Sequence, residues 1–185
     1  LEIQWINFYG GNEYDVGIDI IESPDLGFYI IGYSKSNDGD LTTNMGQHDN
    51  LLLKIDSAGN LLWEKSYGFA GHDHAYNILA TKDGGLFFNG FLDVTASNGQ
   101  GRSFRHGIGE FWCHKTDNDG NIIWRNYFGG SNNDRSYDAV ETSDGGYILI
   151  GTSESDDFDI SNPRGSDDLW LVRLTKVGEM GWEKS

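Results

Sequence analysis

The chain has 185 residues, of which 37% are hydrophobic and 14% aromatic, so it can build a substantial apolar core. Its formal net charge of −16 argues against nucleic-acid binding, because phosphate contacts need clustered lysine and arginine. A single cysteine excludes an intrachain disulfide. No stretch approaches the roughly 18 apolar residues of a membrane helix, so we expect no membrane insertion.

The first predicted element is a strand at Leu1–Tyr9 that carries a tryptophan, and this tryptophan recurs about every sixty residues. Four of the six tryptophans follow this period; each of the first three of these four precedes a glycine by 27 residues, and each of the last three follows an acidic residue by 14. The positions are Trp5, Trp63, Trp124 and Trp182, then Gly32, Gly90 and Gly151, then Asp49, Glu110 and Asp168. The period divides the single domain 1–185 into repeats at approximately 12–67, 68–128 and 129–185.

Each repeat then predicts four short strands, of which the fourth carries the tryptophan. A tight turn rich in Asp and Gly follows the first strand, and a long loop follows the second. The recurring glycine near the end of the second strand predicts a close approach of backbone. In chain order, the first three strands of each repeat are Gly17–Glu22, Phe28–Ser34 and Asn50–Ile55; Tyr76–Thr81, Leu86–Leu92 and Phe111–Thr116; Tyr137–Thr142, Tyr147–Ser153 and Leu169–Leu174.

The third strands are apolar on both faces. Leu51, Leu53 and Ile55 share one face, whereas Leu52 lies on the other. A sheet covered on both sides predicts face-to-face packing around an axis. We therefore predict an all-β, β-propeller-like array of three four-stranded antiparallel blades plus an extra N-terminal strand, as part of a larger propeller.

Three blades leave sheet faces uncovered, since propellers usually have four to eight. The chain begins and ends inside the same repeat element, which favours a fragment of a larger parent chain. An open solenoid-like stack and a homodimer that forms a six-bladed ring are the two alternatives.

Three segments resemble bacterial β-propeller repeats of the SBBP type and the propeller repeats of secreted and surface proteins of Bacteroidetes. They are GGSNNDRSYDA at 129–139, SDGGYILIGTSESDDF at 143–158 and DDLWLVRL at 167–174. The second repeat departs from the pattern between Phe91 and Gly109. The resemblance implies the propeller fold and an extracellular or cell-surface bacterial setting, with the signal peptide outside this chain. It implies no catalytic residue.

One rim of the array collects the long loops and the links between repeats, and we expect ligand contacts there. Hard oxygen ligands alternate along two of its loops, and an acidic residue follows eleven positions after the first aspartate, as in a calcium loop. The predicted calcium ligands are Asp38, Asp40, Thr42 and Asp49 in the first repeat and Asp157, Asp159, Ser161 and Asp168 in the third. The alternative is that these side chains cap turns by bonding nearby backbone amides.

A glycine-rich basic insertion stands apart in this acidic chain. Its Arg102, Phe104 and Arg105 are candidates for binding a carboxylate or a sugar, because the planar guanidinium group of arginine binds planar anions through paired hydrogen bonds. The alternative is a solvated surface loop.

Histidines offer a second metal candidate. His72 and His74 flank Asp73, and His106 lies in the long loop of the same repeat, so these residues are candidates for a transition-metal site. The alternative is that they are ordinary polar residues of the surface. His114 and Cys113 occupy third-strand positions that are apolar in the other repeats. We interpret Cys113 as a buried small hydrophobic residue and His114 as an interior or edge histidine.

The leading functional prediction is a non-catalytic binding or scaffold module of an exported bacterial protein, with a protein or glycan ligand at the long-loop rim. A glycan-active hydrolase or lyase that uses acidic rim residues is the first alternative. A purely structural spacer is the second.

Overall fold

The structure is a computed structural model that describes residues 2–94 and 109–185. The described chain is all β, with twelve strands in three four-stranded antiparallel sheets, which confirms the predicted fold class at this level. None of the described residues belongs to a helix of the length and apolarity that crossing a membrane requires.

The strands of each sheet follow one another in sequence and pair with their sequence neighbours. Sheet 1 comprises β1 (Asp15–Glu22), β2 (Phe28–Ser34), β3 (Asp49–Ile55) and β4 (Leu61–Tyr67). Sheet 2 comprises β5 (His74–Ala80), β6 (Leu86–Asp93), β7 (Gly109–Thr116) and β8 (Ile122–Phe128). Sheet 3 comprises β9 (Asp134–Glu141), β10 (Tyr147–Ser153), β11 (Asp168–Leu174) and β12 (Met180–Lys184).

The recurring second-strand glycine is explained by a bulge in the first strand of each sheet. An ideal Cβ on Gly32 would lie 1.8 Å from the carbonyl oxygen of Val16, where the β1–β2 register shifts. Gly90 and Gly151 meet the carbonyl oxygens of His74 and Arg135 in the same way. The predicted close backbone approach therefore occurs within the sheet, and only glycine leaves room for it.

Two buried apolar clusters join the three sheets in pairs. Between sheets 1 and 2, Ile31 and Leu52 pack with Phe88 and Trp112 in one buried cluster. Between sheets 2 and 3, the buried cluster includes Phe87, Phe111, Cys113, Leu149 and Trp170. The middle sheet is thus apolar on both faces, as the two-sided pattern of its third strand predicts.

A repeated polar contact accompanies this packing. The fourth strand of one sheet reaches the turn between the third and fourth strands of the next sheet. The amide nitrogen Nδ2 of Asn126 donates to the carbonyl of Gly178 at 2.8 Å, and the Tyr67 hydroxyl donates to the carbonyl of Gly120 at 2.6 Å. We call residues 56–60, 117–121 and 175–179 the docking turns.

The N-terminal segment makes the same contact without forming the predicted strand. Trp5 Nε1 donates to the carbonyl of Ser57 at 3.1 Å, and Asn7 Nδ2 donates to that of Gly59 at 2.6 Å. Residues 2–9 nevertheless have no strand assignment, so the prediction of a strand at Leu1–Tyr9 is wrong. A strand needs a neighbouring backbone for its ladder, and no strand of the described structure pairs with this segment.

The outer faces of sheets 1 and 3 expose positions that are buried between sheets. Ile20 on β1 is 53% exposed, whereas its equivalent Ile78 in sheet 2 is 1% exposed. Ile150 on β10 is 39% exposed, whereas its equivalent Ile31 in sheet 1 is fully buried. Sheets 1 and 3 therefore each expose apolar side chains at positions whose equivalents are buried between two sheets.

Candidate functional site

The long-loop rim lies where each first strand begins, each second strand ends, and each third strand begins. In the described structure it comprises residues 10–14, 35–48, 68–73, 129–133 and 154–167. Arg102, Phe104 and Arg105, together with His106, lie outside the described residues. The predicted binding of a carboxylate or sugar by the first three residues, and the predicted part of His106 in a metal site, therefore stay predictions.

In the first repeat, the predicted calcium ligands bond to other partners. Asp38 Oδ1 accepts the backbone amide of Asn12 at 2.8 Å, and Asp40 Oδ2 accepts that of Gly10 at 3.2 Å. The Thr42 hydroxyl donates to Glu64. Asp49 is buried and accepts the amide of Met45 at 2.5 Å.

The third repeat reproduces this arrangement. Asp157 Oδ1 accepts the amide of Ser131 at 2.8 Å, and Asp159 Oδ2 accepts that of Gly129 at 3.1 Å. The Ser161 hydroxyl donates to Glu183, and Asp168 Oδ2 accepts the amide of Arg164 at 2.5 Å. In each loop the first two aspartates therefore accept amides of the facing segment, and the last aspartate accepts an amide of its own loop.

The carboxylates of neither set converge on a common point. Across residues 2–94 and 109–185, a single group of three or more His, Cys, Asp or Glu side chains has its ligand atoms within 4.8 Å of one another, and it contains no aspartate. The aspartates of the alternating pattern cap backbone amides, which is the alternative to a calcium loop. Calcium binding stays a prediction from the sequence alone.

Buried aspartates anchor the rim at the start of the first strands. Asp134 accepts the hydroxyls of Ser153 and Ser155 at 2.5 and 2.9 Å, together with the amide of Gly130 at 2.7 Å. Its equivalent Asp73 accepts the amide of Phe69 at 2.6 Å, and burial raises the pKa of Asp73 to about 7. These carboxylates hold the loop backbone in place, because the loss of any of these hydrogen bonds would leave a buried donor without an acceptor.

The one convergent group consists of His48, His72 and His74, which we call the histidine cluster. His48 precedes β3, whereas the other two residues flank the start of β5. A parallel bridge joins His48 to His72, and the amide of Asp73 donates to the His48 carbonyl at 2.7 Å. Backbone bonds between sheets 1 and 2 therefore hold the cluster together.

The ring nitrogens of the cluster face one another. His48 Nδ1 lies 2.6 Å from His72 Nδ1 and 3.4 Å from His74 Nε2. Burial, with the neighbouring histidines and Arg135, lowers the pKa of His74 to about 4. Burial, together with His72 and Lys35, also lowers the pKa of His48.

Two tyrosines orient the His74 ring. The Tyr33 ring stacks on it at a centroid distance of 4.0 Å and an interplanar angle of 14°. The Tyr76 hydroxyl lies 3.3 Å from His74 Nδ1. His74 is thus held with Nδ1 toward Tyr76 and Nε2 toward the cluster.

Two members of this cluster are recognisable in the sequence, whereas the third is not. His72 and His74 stand together in the printed sequence, but His48 lies in the preceding repeat. Its proximity depends on the bridge between repeats, which no local pattern encodes. Counting the residue before each third strand as part of the rim would have found it.

Cys113 and His114 are interior residues of β7, as predicted. Both are fully buried, and burial raises the pKa of the Cys113 thiol. The His114 ring stacks on Phe88 at 4.6 Å, and burial lowers its pKa well below the usual range. Neither residue faces the rim, so neither offers a catalytic group there.

A scan against protein-family models finds no model that matches this chain. A search of curated proteins finds no match either.

Proposed function

We propose that this chain is a non-catalytic binding and scaffold module of β-propeller type, whose three sheets are successive blades. The observation that carries this proposal is the repeated docking contact. Sheet 1 meets the docking turn of sheet 2 through Tyr67, and sheet 2 meets that of sheet 3 through Asn126. A contact that recurs between consecutive sheets is the arrangement expected of stacked repeats.

The apolar outer faces support continuation of the stack. Ile20 and Ile150 are the exposed counterparts of positions that each internal interface buries. The complementary occupant is therefore another copy of the same repeat, with the outer face of its sheet 1 against that of sheet 3. Such a head-to-tail contact closes into a ring when its rotation allows closure.

Residues 2–9 bear on how such a pair would form. They contact the docking turn of sheet 1 as Trp124 and Asn126 on β8 contact that of sheet 3. In a pair of chains, β12 of one copy would contact the docking turn of sheet 1 in the other copy, where residues 2–9 of that other copy already lie. Only one of the two segments can occupy this place, so the other must be displaced. We therefore expect the contact between two chains to be weaker than an interface within one chain.

The long-loop rim is the proposed binding surface. It carries the loops that differ most between repeats, whereas the side chains of the strands pack in the core. Binding residues usually lie on such loops. The buried aspartates fix these loops, as the three donors to Asp134 illustrate. The exported bacterial setting rests on the sequence resemblance and forms part of the same proposal.

A polysaccharide panel separates this function from the enzyme alternative. The purified chain is incubated with each polysaccharide, and both binding and the appearance of new chain ends are measured. We expect the chain to bind a polysaccharide of the panel without turnover. Turnover that disappears when a rim aspartate is replaced by asparagine would overturn the proposal, and a rim that binds nothing would favour the spacer.

A further inference from the structure

We propose that His48, His72 and His74 form a binding site for a divalent transition-metal ion. Their facing atoms are His48 Nδ1, His72 Nδ1 and His74 Nε2, and the ligand atoms of the group lie within 4.8 Å of one another. Neutral imidazole nitrogens suit zinc, nickel and copper, whereas calcium and magnesium prefer oxygen. The donor set therefore selects the transition-metal class.

The two distances from His48 Nδ1 to the other nitrogens are close to those of a tetrahedral site. Metal–nitrogen distances of about 2.0–2.1 Å place two ligands roughly 3.3 Å apart. The 3.4 Å between His48 Nδ1 and His74 Nε2 matches this value. The 2.6 Å between the Nδ1 atoms of His48 and His72 must lengthen by less than about 1 Å, which small side-chain rotations provide.

The surroundings accommodate His74 in the tautomer that a metal requires, with Tyr76 as a hydrogen-bond acceptor for Nδ1. With the proton on Nδ1, His74 donates to the Tyr76 oxygen at 3.3 Å, and Nε2 keeps its lone pair toward His48. Stacking on Tyr33 restricts rotation of the same ring. Metal-binding histidines usually have such a partner on their other nitrogen, since it fixes both ring and tautomer.

The fold itself does not require histidine at these positions. The next interface makes the same kind of parallel bridge between Gly109 and Asn133, the equivalents of His48 and His72. The equivalent of His74 there is Arg135, whose guanidinium lies 4.5 Å from the Phe91 ring centroid. Three histidines meet at one interface, whereas the other has glycine, asparagine and arginine, so packing alone does not explain them.

Three protein ligands leave a fourth position for water or for a donor from a bound molecule. All three histidines are partly exposed at the long-loop rim, so that position is accessible. The neighbouring Asp73 is not available as a ligand, since its carboxylate accepts the amides of Phe69 and Asp93 at 2.6 and 3.2 Å. The site does not depend on the proposed scaffold function, because one chain supplies every ligand.

The test is metal binding to the untagged chain, with zinc and nickel titrated against a chromogenic chelator. We expect one ion per chain and a loss of affinity of about tenfold or more in His72→Asn, which installs the residue of the equivalent position in the next interface. Tyr76→Phe should weaken binding by about tenfold through loss of the partner of His74. His114→Leu removes a histidine outside the cluster and should bind as the parent does.

A direct measurement on the parent chain guards against variants that fail to fold. X-ray absorption of the zinc or nickel complex should show three imidazole nitrogens at about 2.0–2.1 Å. An absence of binding at equimolar metal would overturn the proposal. An oxygen-only shell, or an affinity that is the same in folded His72→Asn and in the parent, would also overturn it.

Discussion

Asn126 and Gly178 lie in different sheets, and the Asn126 side chain donates to the Gly178 carbonyl at 2.8 Å. Asn7 and Gly59 repeat this bond at 2.6 Å. Gly178 has a φ of +81°, and an ideal Cβ there would meet Asn126 Nδ2 and Trp124 Cε3 at 2.7 Å. The docking turns thus need glycine both for the left-handed backbone and for the approach of the preceding sheet.

A series of alanine substitutions separates these two requirements. Gly178→Ala should destabilise the protein by about 2 kcal/mol or more, because it combines the positive φ with a clash. Gly84→Ala should cost about 1 kcal/mol, since Gly84 has a φ of +86° and open space around its Cβ position. Urea denaturation measures both values.

Gly165→Ala is the matched control for this series. Gly165 has open space and no left-handed φ, so we expect a change within about 0.5 kcal/mol. Equal costs for Gly178→Ala and Gly84→Ala would show that the contact with Trp124 and Asn126 does not matter.

A repeated ion pair predicts acid sensitivity. Asp25, Asp83 and Asp144 occupy equivalent turns and pair with Lys54, Lys115 and Arg173 at 2.5, 3.1 and 2.7 Å. The hydrogen bond from Lys54 is the main cause that lowers the pKa of Asp25. For Asp144, the Thr142 hydroxyl is the main cause that lowers the pKa, and Arg173 contributes. At Asp83, burial alone would raise the pKa, but the bonds from Thr81 and Lys115 outweigh it.

Because these folded-state pKa values are depressed, the stability contributed by the pairs is complete above the unfolded pKa of about 3.9. It should be lost as pH falls further, through the folded pKa values. The urea midpoint of Asp25→Asn should therefore fall less steeply between pH 5 and pH 3 than that of the parent. Asp156→Asn, at an exposed position, serves as the control and should follow the parent curve.

His114→Leu should stabilise the protein. Both ring nitrogens of His114 are buried without a hydrogen-bond partner in the described structure, and the equivalent positions hold Leu53 and Val172. Removing an unsatisfied buried polar group should gain about 1–3 kcal/mol at pH 7.

The gain should grow as pH falls below about 6.5, because the unfolded chain takes up a proton on His114 and the folded chain does not. Urea denaturation of parent and variant at pH 7.5 and 5.5 measures both effects. A variant that is less stable than the parent at both values would indicate that the His114 ring has a packing role that leucine does not fill.

The Asp134 network predicts a large loss on truncation. Asp134→Ala leaves the hydroxyls of Ser153 and Ser155 and the amide of Gly130 without their acceptor, so it should cost about 2–4 kcal/mol. The loss should be the same with millimolar calcium and with chelator, because backbone capping involves no ion. Thermal melts in both solutions check this. A melting temperature of the parent that rises with calcium would instead support the calcium loops.

The sequence predicted the all-β fold class and its division into three four-stranded sheets because one period repeats its chemistry. The recurring tryptophans and glycines predicted three units, and Leu52 opposite Leu51 and Leu53 predicted sheets covered on both sides. The strand at Leu1–Tyr9 failed for a non-local reason, since its tryptophan docks but its backbone has no pairing partner.

The candidate site was harder to predict than the fold. Alternating oxygen-bearing side chains, as at Asp38 and Asp40, occur both in calcium loops and in segments that cap backbone amides, so the sequence pattern does not distinguish the two. His48 and His72 meet only through backbone bonds between two repeats. Local patterns therefore identify the elements, whereas contacts between repeats decide which side chains meet.

We propose that successive sheets stack by one recurring interface, which remains open at both ends. Sedimentation equilibrium tests it most directly, with Ile150→Glu on the open face of sheet 3 and Ile123→Glu as an exposed control away from that face. We predict reversible association of the parent toward twice the 20.6 kDa chain mass, lost in Ile150→Glu and kept in Ile123→Glu. A chain that stays monomeric at every concentration, or that associates equally in both variants, would contradict it.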